Sequence, residues 1–168
     1  MAIENERKFL VSGHGYLDRA VRQERIVQGY LSVDPDRTVR VRIKGECGYL
    51  TVKGRGDAQG VSRGEWEYVI PLTDAQELLS LCHPGALDKT RYCIPVGRHL
   101  FEVDVFRGDN QGLVLAEVEL DDPAEPFERP DWLAREVTGE VRYYNAALSR
   151  HPYKDWTDRE RDASEPRG

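Results

Sequence analysis

No stretch of this chain is apolar enough to span a bilayer as a helix, and no run of lysines and arginines offers a nucleic acid a binding stripe. The residues after Met1 turn charged almost at once, so no secretory leader is read there. Neither a membrane nor a nucleic acid is expected as a partner. Cysteine is scarce. Cys47, Cys82 and Cys93 lack metal-ligand spacing and leave one thiol over in any pairing, which argues for reduced thiols in a cytoplasmic protein. The histidines, His14, His83, His99 and His151, are scattered and read as surface residues. Gly54-Arg55-Gly56 has no following Lys-Ser/Thr and is not a P-loop.

Charge is what the sequence has in quantity: 24 basic and 30 acidic residues among 168, for a net charge of -6. The length suits one domain over residues 1–152, followed by a charged tail at 153–168 that is expected to fray. The charges are not scattered. In an extended strand over residues 3–9, Glu4, Glu6 and Lys8 project from one face. The same alternation returns at 26–33, 38–44, 49–55, 63–70, 87–94, 100–106 and 113–120, eight segments in all. Val39, Val41 and Ile43 stand opposite Arg40, Arg42 and Lys44; Phe101, Val103 and Val105 stand opposite Glu102 and Asp104. In 26–33, Val27, Leu31 and Val33 are assigned to one face, and Gln28, Tyr30 and Ser32 to the other. Trp66, Tyr68 and Ile70 likewise oppose Glu65 and Glu67. Short helices are expected within 12–24, from Thr73 with a capping pattern, and over 140–149 with Tyr143, Ala146, Ala147 and Leu148 toward the core.

A sheet with one polar face normally mixes signs along each strand. Here the signs sort. Glu4 with Glu6, Glu65 with Glu67, Glu102 with Asp104 and Glu117 with Glu119 are acidic pairs at spacing two. Arg40 with Arg42 and Lys89 with Arg91 are basic pairs, joined by Lys8 and Lys53. The reading is a mostly β, α+β fold: an eight-stranded antiparallel closed tunnel (barrel) with a charged interior, flanked by a few helices that cover the apolar outside. Two like charges about 4 Å apart cost roughly 4 kcal/mol at an effective dielectric near 20, so such an interior asks for a ligand carrying both signs. A polyphosphate with divalent cations meets that demand. Phosphate oxygens take the lysines and arginines, and hard ions such as Mg²⁺ or Mn²⁺ take the carboxylates. Tyr30, on the inward face beside cations, is either a proton acceptor favoured as phenolate or a hydrogen-bond partner of a neighbour.

The run Glu4-Asn5-Glu6-Arg7-Lys8 resembles the ExExK signature of the CYTH superfamily, the triphosphate tunnel metalloenzymes. Gln28-Gly29-Tyr30, Val39-Arg40-Val41-Arg42, Leu50-Thr51-Val52-Lys53-Gly54, Lys89-Thr90-Arg91-Tyr92, Glu102-Val103-Asp104 and Glu117-Val118-Glu119-Leu120 follow in family order. Glu136-Val137-Thr138 and Arg142-Tyr143-Tyr144-Asn145 complete the resemblance, which is strongest to the short bacterial branch associated with inorganic triphosphatase activity. The resemblance implies that Glu4, Glu6, Glu117 and Glu119 hold Mg²⁺ or Mn²⁺, and that Lys8, Arg40, Arg42, Lys53, Lys89 and Arg91 bind the triphosphate. Glu65, Glu67, Glu102 and Asp104 are then either further metal ligands or partners that orient the bases. Tyr30 and Lys8 are the candidate catalytic residues. The expected reaction is hydrolysis of inorganic tripolyphosphate to diphosphate and phosphate. A class IV-type adenylyl cyclase, a thiamine or nucleotide triphosphatase and a non-catalytic triphosphate sensor are the alternatives. A homodimer is a further expectation, since few helices are available to cover a barrel's apolar outside.

Overall fold

β1 (Ala2–Val11) is the strand on which the sheet closes, and it does so with two neighbours on one side. In the computed structural model, which describes residues 1–162, the sheet runs β5-β4-β3-β2-β6-β7-β8-β1 and returns from β1 to β5. The strands are β2 (Arg22–Ser32), β3 (Arg37–Lys44), β4 (Cys47–Gly54), β5 (Ser62–Ile70), β6 (Leu87–Val96), β7 (His99–Phe106) and β8 (Val114–Glu119). Every pairing is antiparallel. The result is the expected closed eight-stranded barrel. A ninth short strand, β9 (Leu133–Glu136), is an addition. β5 pairs with β1 from Ala2 to Asn5, and β9 takes over the same side at Phe9 and Val11. Asn5 pins the seam: its Nδ2 donates to the Leu120 and Asp121 carbonyls, and its Oδ1 accepts from Ser62 Oγ.

The outer face of β1, β6, β7 and β8 buries Phe9, Ile94, Phe101, Val103, Ala116 and Val118 beneath Tyr16 and Trp132. Tyr16 comes from a 3-10 turn, Gly15–Arg19, all that remains of the helix expected within 12–24. Pairing with β6 from Cys93 onward draws residues from Arg22 into β2 and leaves no length for more. α1 (Leu72–Leu81) covers the outside of β2 to β4. It begins after Pro71 with no side-chain cap, so the expected capping role of Thr73 is not taken up. Ala75 faces Gly48, where a Cβ would lie 2.7 Å from its own, and Cys82 faces Gly29, where a Cβ would lie 2.9 Å away. His99 is a correction to the surface reading: it stands 2.7 Å from Glu125, edge-on to Phe127. The outer face of β5 stays open, with Tyr68 58% exposed.

The inward face is not charged along its whole length. Leu10, Leu87, Phe106 and Leu115 lie two residues from Lys8, Lys89, Asp104 and Glu117 on their strands, at one end of the barrel. There they pack with Tyr30, Val137, Tyr143, Leu148 and Trp156. The C-terminal segment thus forms an apolar floor. The helix expected over 140–149 divides into a 3-10 turn, Val141–Tyr143, and α2 (Asn145–Arg150), separated by an extended Tyr144. Beyond Pro152 the described residues do not fray: Trp156 is buried edge-on to Tyr143, and α3 spans Asp158–Asp162. The remainder of the expected tail, 163–168, lies outside the described residues. A register shift between Tyr30 and Ser32 also turns Val33 to the cavity side, against the expected alternation.

Gly85 locks the floor to the barrel. Its φ is +100°, and a Cβ there would lie 1.9 Å from the Ser149 carbonyl oxygen. The clash cannot relax without moving α2, and a side chain at that φ is strained whatever the space. Gly85→Ala is expected to lower stability by roughly 3 kcal/mol, read as a shift in urea midpoint at unchanged slope.

Candidate active site

A cavity of about 740 Å³ runs inside the barrel. Alternation along each strand puts the expected residues on its wall: Glu4, Glu6 and Lys8 from β1, Tyr30 from β2, Arg40 and Arg42 from β3 and Lys53 from β4. Glu65 and Glu67 come from β5, Lys89 and Arg91 from β6, Glu102 from β7, and Glu117 and Glu119 from β8. Asp104 stands apart. It is 1% exposed and does not reach the cavity surface, although it shares the inward face of its strand; two cations share it. Arg91 donates to it through Nε at 2.8 Å and Nη2 at 2.9 Å, and Lys89 Nζ lies 2.7 Å away. Burial opposes its charge, but Arg91 and Lys89 hold its carboxyl far below the usual carboxylate range. One carboxylate cannot fully satisfy both bases. Burial, against the pull of Asp104 and with the push of Arg91, lowers the Lys89 ammonium to about 8.

The basic wall has capacity to spare. Arg42 meets its nearest carboxylate, Glu67, only at 3.7 Å, and burial together with Arg40 and Arg91 brings its guanidinium down to about 10. The Nε atoms of Arg40 and Arg42 are buried with no hydrogen-bond partner among the described residues. Buried, partly compensated guanidinium groups in a cavity form an anion site.

The acidic wall has the complementary excess. Burial would raise Glu4, but Lys53 Nζ at 2.9 Å keeps it below the ordinary value. Burial opposes the charge of Glu117 too, yet Lys8 at 3.4 Å and Arg91 bring it to about 2. Glu6, Glu65 and Glu119 have no ion-pair partner among the described residues. Burial, then the charges of Glu117 and Glu4, pushes Glu6 well above the carboxylate range. Burial and Glu4 raise Glu65 and Glu119 as well. Among the described residues no three metal-ligating side chains stand close enough to enclose an ion as they are placed. The donor set itself, all carboxylate on adjoining strands with Glu6, Glu65 and Glu119 outside any ion pair among the described residues, fits a hard divalent cation.

Other wall residues are not among the expected site residues, although Lys44 falls on the charged face and Asn145 in the family motif. Lys44 continues the Arg40 and Arg42 phase, and Arg63 precedes Glu65 by two, so the alternation held a signal for both. Asn145 and Arg150 arrive from α2, where strand periodicity says nothing. None of the helices among the described residues is long and apolar enough to cross a membrane.

A CYTH domain model matches residues 2–153. The chain is 45% identical over 159 residues to an inorganic triphosphatase of Acetivibrio thermocellus, covering 94% of this chain and all of that protein. It is 38% identical over 151 residues to an inorganic triphosphatase of Nitrosomonas europaea, covering 87% and 96%. The crystal structure of the inorganic triphosphatase NE1496 superposes with a TM-score of 0.63 at 34% identity, over 89% of this chain and 95% of that one.

Two substitutions separate the walls. Asp104→Asn strands two buried cations and is expected to cost about 3–5 kcal/mol in chemical denaturation. Glu6→Gln in EDTA is expected to raise the melting temperature by a few degrees, because it removes a carboxylate crowded by Glu4 and Glu117. A fall in melting temperature with Glu6→Gln would refute the like-charge account.

Proposed function

The chain belongs to the CYTH family, and on that footing we propose that it is a metal-dependent inorganic triphosphatase, hydrolysing tripolyphosphate to diphosphate and phosphate inside the barrel. The observation that carries this reading is the sorting of one cavity into two walls, each with uncompensated charge: buried guanidinium groups on β3 and unpaired carboxyls on β1, β5 and β8. A triphosphate with a divalent cation satisfies both. The named activity of the two relatives supports the same choice of substrate.

Arg40, Arg42 and Arg91 fix phosphoryl oxygens through planar N–H donors, while Lys8, Lys53 and Lys89 supply point charges. Glu4, Glu6, Glu117 and Glu119 would hold Mg²⁺ or Mn²⁺, with Glu65 beside them; Glu67 is engaged by Thr51 Oγ1 at 2.7 Å and Arg40 at 3.4 Å and serves the bases instead. Asp104, on the inward face but hidden from the cavity, orients Lys89 and Arg91. Held by these carboxylates, a divalent ion would neutralise charge on the phosphoryl oxygens and make a nearby water more acidic. A water oxygen attacks the terminal phosphorus, the bridging P–O bond breaks with its electron pair on the diphosphate, and the water's proton passes to a base. Tyr30 is the proton acceptor in this scheme. Gln28 Nε2 donates to its Oη at 3.1 Å, which orients the phenol oxygen.

Phosphate release from tripolyphosphate, ATP and thiamine triphosphate with Mg²⁺ or Mn²⁺ tests the reading. Tripolyphosphate is expected to be the preferred substrate, with diphosphate and phosphate formed in equal amounts. Glu4→Gln should lose about a hundredfold in kcat, on the order of a removed electrostatic contact. Folded protein that releases no phosphate from any of the three would exclude the hydrolase.

A further inference from the structure

The C-terminal segment does more than close the floor, because it also touches two of the substrate-binding lysines. Lys8 Nζ on β1 donates to the Tyr143 carbonyl at 3.1 Å, and Lys89 Nζ on β6 donates to Asn145 Oδ1 at 2.9 Å. The extended Tyr144 between them, φ −68° and ψ 138°, separates the 3-10 turn from α2 and lets the residues on either side of it reach two different strands. The segment is itself held fast. Tyr143 is fully buried against Trp156, and Val137 N donates to the Lys8 carbonyl at 2.8 Å.

We propose that Asn145 is a positioning residue for the triphosphate site, setting the direction of the Lys89 ammonium. An ammonium only donates, so the carboxamide must offer its oxygen to it. Lys89 has three N–H bonds. One points to Asp104 Oδ2 and one to Asn145 Oδ1, and with two directions fixed the tetrahedral nitrogen has only one left. That third N–H has no partner among the described residues, and Lys89 lines the cavity. The Phe106 ring, 5.4 Å from Nζ, closes off an apolar side. Without Asn145 the ammonium keeps its charge partner but regains rotation about Cε–Nζ, so the phosphate must order it at the moment of binding. Asn145 is the first residue of α2 and makes no cap bond, so alanine there leaves the helix start intact.

This inference rests on the triphosphatase reading, and a double-mutant cycle separates the two. Steady-state constants for tripolyphosphate with Mg²⁺ are compared among the wild type, Asn145→Ala, Lys89→Ala and the double variant. Asn145→Ala is expected to raise KM about fivefold with kcat within about twofold and melting temperature within about 2 °C. In the Lys89→Ala background the same substitution should change kcat/KM less than about 1.5-fold. An equal loss in both backgrounds, or no loss in either, would overturn the positioning role while leaving the triphosphatase intact. Wild-type protein with no activity on tripolyphosphate would remove both.

Discussion

Asp104 is the fixed point of this molecule. A carboxylate closed off from water is tolerable only if cations meet it, and Arg91 and Lys89 do so from the neighbouring strand. The bidentate geometry sets the β6–β7 register at Arg91 opposite Asp104 and holds the guanidinium in plane. From Arg91 the network passes to Glu102 at 3.0 Å and Glu117 at 3.8 Å, and from Glu117 to Lys8. A chain of alternating charge therefore crosses from β6 to β1. The triad holds Lys89 and Arg91 in place, and the incompletely partnered groups are the arginines of β3 and the carboxyls of β1, β5 and β8.

Alternation made the barrel and most of its wall readable in the sequence. Inward phase is a covalent property of a strand, so Glu4, Arg40, Lys53, Glu65, Lys89 and Glu117 could be assigned to one face before any pairing was known. Lys44 and Arg63 share that phase and show that the same signal extends further than the paired charges. The signal fails where the chain departs from ideal pleating or from strands altogether. The shift after Tyr30 turns Val33 inward, a β-bulge with no local signature. β9 is four residues long, too short to show a period. Asn145 reaches the cavity through tertiary docking, which no local pattern encodes. Asp104 shares the phase of Glu102 yet is hidden, because depth along the barrel, not face alone, decides which carboxylate meets the cavity.

Depth also explains the division of labour along each strand. Lys8 gives way to Leu10, Lys89 has Leu87 beside it, Asp104 is followed by Phe106, and Glu117 is preceded by Leu115. The change occurs at one level around the barrel, so the charged belt ends on an apolar disc. Desolvation from that disc brings Lys89 down to about 8 and gives the nearby ion pairs their strength. The floor and the chemistry are thus the same feature viewed from two sides.

The barrel wall is one residue thick. Gly29 has Cys82 of the outer layer against it, while its neighbours Gln28 and Tyr30 face the interior. The His83 amide donates to the Tyr30 carbonyl at 2.9 Å, tying that outer layer to the same point of the strand. A wall this thin has no bulk in which to dissipate a disturbance. Chemistry on the outside of the barrel, such as alkylation of the half-buried Cys82 thiol, bears directly on the strand that carries Tyr30.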